Sequence, residues 1–230
     1  MRIDVSWDMS RVESELDVLQ GRLRQAGRLD PAQAVPALLP APLRVWRQEA
    51  DGEFFLYIED ARSGVLAGCI VFNRLIEVNR RLDRVLRSPH ARLRAAYQRR
   101  GVAASLYQRE LQAGYCLLSG ARQSSGAHAL WESLAARHDS GYVRVAQKRL
   151  YALPESPDQA CLDDLCTRRL LCGGGWTLAA LLRLTPRRGQ AVTGEPTRPG
   201  LPPQEAGLSR ASPSQVLQST DVAAPQLSNS

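Results

Sequence analysis

Lysine is almost absent from this chain: Lys148 is the only one, so 29 of its 30 basic residues are arginine. No apolar run reaches the roughly 20 residues that a bilayer-spanning helix needs, so no membrane association is expected. The opening stretch MRIDVSWDMS carries no apolar segment of the kind that marks a secretory signal, and the default expectation is a cytoplasmic protein. None of the cysteines Cys69, Cys116, Cys161, Cys166 and Cys172 forms a Cys-x-x-Cys pair, and no histidine lies near the last three. That spacing matches no zinc pattern, so no metal site is expected. The odd count points to free thiols in a reducing compartment, packed as small apolar groups.

What is present is enough for a core. Of 230 residues, 44% are hydrophobic and 23% charged, the composition of an ordinary globular domain. From Pro186 onward the chain is Pro, Ser, Gly and Gln with few large apolar residues, which cannot support a core. The expected organisation is therefore one folded domain over 1–184 and a disordered tail over 185–230. The formal charge of +7 suggests an acidic partner, either nucleic acid or a phosphorylated cofactor. A G/C-rich gene explains the same arginine skew, so charge alone does not choose between them.

Apolar spacing at Val12, Leu16, Leu19 and Leu23 predicts a helix over Ser10–Ala26, with Asp8 or Ser10 as its cap. Prolines at 31, 36, 40 and 42 then exclude a long helix. Phe54–Ile58 and Val65–Phe72 read as a hairpin closed by residues 60–64, with Gly68 marking a bulge or a close backbone approach. Residues 73–89 read as a helix or irregular excursion whose arginines, Arg74 to Arg87, form either a solvated face or a basic rim. Beyond them the pattern predicts a strand over Ala91–Tyr97, a helix from Val102 to near Gly114, a strand over Tyr115–Leu118 and a helix over Gly126–Ala136. A strand over Tyr142–Leu153, a helix over Asp158–Leu171 and an apolar closing element over Trp176–Leu184 complete an α+β domain.

The turn Gln98-Arg99-Arg100-Gly101-Val102-Ala103, between a strand and a helix, has the ingredients of an anion site. The first amides of a helix lack intrahelical partners, and the helix dipole adds partial positive charge there. Gly101 allows close approach to the backbone, Ala103 leaves the first turn unobstructed, and Arg99 with Arg100 adds charge. It is neither a Walker loop nor a GxGxxG fingerprint. On these residues alone, a basic surface turn before an ordinary helix is an equal reading.

The six residues also fit the Gln/Arg-x-x-Gly-x-Gly/Ala signature of the GNAT superfamily of N-acetyltransferases, which this chain resembles over roughly 50–145. Ser124-Ser125-Gly126-Ala127-His128-Ala129-Leu130-Trp131 has the spacing of that family's Asn-x-x-Ala-x-x-Leu-Tyr, with Ser124 for the Asn and Trp131 for the Tyr. The resemblance implies a mixed, largely antiparallel sheet flanked by helices, and acetyl-CoA as co-substrate. It also implies direct transfer of the acetyl group to a primary amine on a small molecule or peptide. Tyr97, Gln98, Arg99, Arg100, Gly101, Val102, Ala103 and Ser124 would then hold the cofactor, with its pantetheine arm between strands ending near Tyr97 and Ser119. Trp131 has no titratable proton, so it reads as packing, and Tyr142 and Ser124 are left as catalytic candidates; His128 reads as an exposed helix residue. Two alternatives stay open: a GNAT-like binding or interaction module without turnover, and a nucleic-acid-directed protein using the arginine-rich 74–100 face.

Overall fold

Every residue from Phe54 to Ile58 is buried, which a strand achieves only when both faces of its sheet are covered. In the computed structural model, which describes residues 1–29, 34, 39–40 and 42–184, that strand lies near one end of an eight-stranded sheet. Its members are β2 (Leu43–Ala50), β3 (Glu53–Asp60), β4 (Val65–Asn73), β5 (Leu86–Leu93), β6 (Cys116–Leu118), β8 (Ser140–Ala146), β9 (Arg149–Ala152) and β10 (Thr167–Leu171). Their order is β2-β3-β4-β5-β6-β10-β8-β9, with β5–β6 parallel and the other neighbours antiparallel. A parallel two-stranded pair, β1 (Arg2–Ile3) with β7 (Arg122–Gln123), stands beside it. This is a mixed, largely antiparallel α+β fold flanked by helices.

Helix α1 (Met9–Gln25) is capped by Asp8, whose side chain accepts from the amides of Ser10 and Arg11. Its stripe of Val12, Leu16, Leu19 and Leu23 is buried against Trp46, Phe55, Tyr57 and Leu66 on one face of the sheet. The other face is covered by α3 (Val102–Gln112) and α4 (Ser125–Ala135), packed on Phe54, Leu56, Ile58, Ile70 and Phe72. Short helices α2 (Arg80–Asp83) and α6 (Leu178–Arg183) close a further cluster with Leu86, Leu118, Val143 and Leu170. All five cysteines are free thiols, with Cys69, Cys116 and Cys172 buried. No described helix is long and apolar enough to cross a membrane.

Gly68 behaves as its position in the hairpin suggests. The β3–β4 register shifts beside it, and a Cβ there would lie 2.5 Å from the carbonyl oxygen of Arg92 and 2.4 Å from the Leu93 side chain. Several other expectations are corrected. Residues 43–50, unassigned from the sequence, form β2, joined to β3 through Asp51 and Gly52 with φ of 53° and 77°. The strand expected over Ala91–Tyr97 begins earlier, at Leu86, and gives way to a 3-10 turn at Ala95–Tyr97. It runs through Pro89, which a strand tolerates where one edge lacks a partner. The single strand expected over Tyr142–Leu153 is a hairpin, β8–β9, turning at Gln147 and Lys148 with φ of 51° and 62°. The helix expected over Asp158–Leu171 stops after α5 (Gln159–Asp163), and its second half is β10, inserted between β6 and β8. Pro31, Pro36 and the tail 185–230 lie outside the described residues.

Candidate functional site

The parallel pair at the centre of the sheet is short. Leu86 pairs with Cys116 and Arg87 with Leu117, and there the ladder ends. Beyond that point β5 continues to Leu93 bonded only to β4, so its other edge faces a gap whose far side is the end of β6. The chain leaving β5 passes through the 3-10 turn and residues 98–101 into α3, which places the glycine turn at the end of the gap.

This turn is tied down on the near side. The Tyr97 hydroxyl donates to Asp60 (2.9 Å), and the Gln98 side chain donates back to the Leu93 carbonyl (2.9 Å). Arg94 donates to the Leu66 carbonyl (2.8 Å) and pairs with Asp17 of α1. The Arg62 amide first, and the Tyr97 hydroxyl second, hold the Asp60 carboxyl below its ordinary range. The Arg100 guanidinium sits 5.5 Å from the centre of the Tyr97 ring, a cation–π distance.

Beyond these anchors the backbone changes character. Arg99 and Gly101 both adopt left-handed φ, 58° and 76°. Gly101 is the N-cap of α3 and supplies no side chain to its amides. Among the described residues none accepts a hydrogen bond from the amides of residues 99–104, and the first α3 bond runs from Ser105 to the Gly101 carbonyl (2.9 Å). Residues 98–101 are exposed, and nothing stands within 4 Å of where a Gly101 Cβ would be. Alternating left-handed residues with convergent amides form an anion-binding concavity, and a helix N-terminus adds its dipole. These residues fit a phosphate or pyrophosphate group.

The other sequence-derived candidates lie on other elements. Ser124 is the N-cap of α4, its Oγ accepting from the Ala127 amide (3.2 Å). Tyr142 lies on β8, which β10 separates from β6, so it is two strand spacings, about 10 Å, from the gap. The guanidinium of Arg169, its register partner, covers the Tyr142 ring at 4.4 Å. Trp131 is buried in the core, edge-on to Tyr107 with ring centres 6.1 Å apart. His128 departs from the reading of an exposed helix residue: it is half-buried, and its Nδ1 is enclosed without a hydrogen-bond partner among the described residues. Ser119 is buried just past β6, its Oγ accepting from the Arg169 amide (2.9 Å).

Sequence reading misses a buried ionic group eight residues along α3 from Val102, about 12 Å down the helix axis. Glu110 is 2% exposed, and burial pushes its carboxyl above the ordinary range against the pull of Arg47, Arg109 and Arg87. Arg87 is itself buried, its guanidinium 5.0 Å from the Phe54 ring centre and 5.2 Å from that of Tyr115. Neither residue carried a signal in the sequence beyond its charge. A carboxyl raised on folding contributes stability that is fully present below its unfolded pKa and is lost as pH rises through its folded pKa. Glu110→Gln is therefore expected to raise the melting temperature by a few degrees at pH 8 and to change it little near pH 4, as thermal melts across that range would show.

A second feature that sequence reading misses lies on the opposite face of β5. The imidazole of His90 meets Trp7 edge-on, with ring centres 5.8 Å apart and planes at 80°.

No family model matches this chain, and no curated protein matches it. Among solved structures it is similar to a chimeric spermidine N-acetyltransferase from Vibrio cholerae and hSSAT, at 17% identity and a TM-score of 0.32, over 53% of this chain and 68% of that one. It is similar at the same identity and TM-score to a protein assigned as a phosphinothricin N-acetyltransferase, over 54% of this chain and 68% of that one. At such scores neither likeness bears on the residues that act or on the reaction.

Proposed function

We propose that the chain is an acetyl-CoA-dependent N-acyltransferase that moves an acetyl group to a primary amine by direct transfer. The observation that carries this reading is the turn at 98–104, with its unpartnered amides at the end of the gap between β5 and β6. The amides of Arg99 to Ala104 would receive the pyrophosphate, with Arg99 and Arg100 adding charge. The pantetheine arm would lie in the gap against the open edge of β5, and a backbone amide of that strand would polarise the thioester carbonyl. Acetyl-CoA supplies the activated acyl group, and the protein's part is to orient it and exclude water.

A ligand that binds only the folded state raises its melting temperature. Acetyl-CoA at millimolar concentration is expected to do so here, and an unchanged melting curve would remove the proposal. A binding module without turnover is favoured by one observation, the burial of Trp131 where a proton donor is implied by resemblance. Thermal stabilisation without thiol release across a panel of primary amines would select it. The arginine-rich 74–100 stretch offers less to nucleic acid than its composition suggests, because several members are engaged internally. Arg74 pairs with Asp83, Arg92 with Glu15 (2.9 Å) and Arg94 with Asp17, while Arg87 is buried.

A further inference from the structure

The N-terminal segment crosses the sheet where β5 and β6 part. Arg2 and Ile3 pair with Arg122 and Gln123 of β7, and the Val5 amide still donates to the Gln123 carbonyl (3.1 Å). Two residues later Trp7 rests on His90 of β5, after which Asp8 caps α1. Two residues of extended chain reach about 7 Å, so residues 5–7 bridge β7 and β5 across the gap as a strap. Side chains alternate along β5: Ala91 and Leu93 pack towards α3, whereas Arg92 and Arg94 reach α1. His90 shares the latter face. It therefore stands on the far side of the gap from α3 and α4, beyond the last residue that pairs with β6.

His90 is exposed to solvent, on the part of β5 that has no β6 neighbour. Trp7, 46% exposed, stands against it. We propose that His90 is the general base that deprotonates the acceptor amine, which reaches it past Trp7 at the open edge of β5. The inference rests on the acyl-transfer reading above and names a residue for it.

In this step the imidazole takes one proton from the ammonium form of the acceptor. The freed nitrogen lone pair attacks the thioester carbonyl carbon and forms the C–N bond. When the C–S bond breaks, its electron pair leaves on sulfur, the nitrogen's surplus proton passes to the thiolate, and the imidazolium returns its proton to water. Desolvation first, and Arg92 second, lower the His90 pKa, the direction that favours the neutral imidazole a base requires. Arg92 on β5 is paired with Glu15 of α1. On the strap, Asp4 is held by Arg122 (2.8 Å) and Asp8 by the α1 amides. Val71, opposite on β4, carries no charge.

Thiol release from acetyl-CoA tests the inference. It is followed from pH 5 to 9 with water as acceptor, and with a diamine, an aryl-alkylamine and a lysine-containing peptide. His90→Gln and His90→Ala are expected to lower the rate about 100-fold or more, within the usual range for a general base. They should also move the acidic limb of the pH profile from the imidazole range up to that of the acceptor ammonium, while leaving the acetyl-CoA melting shift intact. Added imidazole should restore part of the rate to His90→Ala, which a merely structural role would not allow. An unchanged rate, or an acidic limb that keeps its position in both variants, overturns the role of His90 and leaves acyl transfer standing. A parent protein that is stabilised by acetyl-CoA yet releases no thiol overturns it in favour of a binding module. A parent that shows neither effect removes both readings.

Discussion

Gly101→Glu is expected to abolish the melting shift that acetyl-CoA gives the parent chain, without unfolding it. At a concentration 100 times its dissociation constant, a ligand stabilises by about 2.7 kcal/mol, which in a domain of this size is on the order of 5–10 °C. Gly101 holds a left-handed φ of 76°, so any other residue there incurs a backbone cost of about 1 kcal/mol. Its Cβ would meet nothing within 4 Å, so the fold itself has room for a side chain. A glutamate there sets a negative charge beside the amides of 99–104, against an anionic ligand. Gly101→Ala separates the contributions: it carries the same backbone cost without charge and is expected to keep a reduced but measurable shift. A Gly101→Glu protein that acetyl-CoA stabilises as well as the parent would show that the ligand binds elsewhere.

Gly173→Ala is expected to cause the largest loss of stability among alanine substitutions of the described glycines. Its Cβ would lie 2.1 Å from the Tyr115 carbonyl oxygen, 2.7 Å from the Tyr115 carbonyl carbon and 2.9 Å from the Leu111 carbonyl oxygen. All three are backbone atoms, so no side-chain rotation relieves the clash, and overpacking of this kind costs about 3 kcal/mol or more. The Gly173 amide also donates to Cys116 Sγ (3.3 Å) and the Gly174 amide to the Leu111 carbonyl (2.7 Å). The chain leaving β10 is thus clamped between the end of α3 and the start of β6, the elements that set the gap. A fall of roughly 6–12 °C in melting temperature, or failure to recover soluble protein, is expected. Gly174→Ala is the control, since its Cβ would come no closer than 3.4 Å to the Gln112 carbonyl oxygen. A Gly173→Ala protein melting within a degree or two of the parent would contradict this packing.

The elements legible in the sequence share one property: their signal lies within a short local stretch. The stripe on α1, the dense apolar hairpin of β3 and β4, and the turn that opens α3 each declare themselves within a dozen residues. Trp131 belongs with them, because a large ring without a titratable proton at an inward helix position serves packing. Gly68 belongs there too, since a glycine within an apolar strand implies that something lies close.

The elements that were not legible depend on partners far along the chain. β10 carries Leu170 and Leu171 after a short helix, and nothing local distinguishes the end of a helix from a strand inserted between β6 and β8. Pro89 argues against a strand unless the neighbouring edge is open, and that openness is a property of β6, more than 25 residues later. Gln147 and Lys148 make the β8–β9 turn without glycine or asparagine, held by the pairing of the strands on either side.

By itself, then, the sequence determined the helices with a buried stripe, the central hairpin and the glycine turn that opens α3, because those follow from local periodicity and backbone chemistry. The tertiary structure alone decided that β5 and β6 part after two residue pairs, that Glu110 and Arg87 are buried, and that Trp7 meets His90 across more than 80 residues of chain. Those are contacts between distant segments, and only the closing of the sheet brings them together.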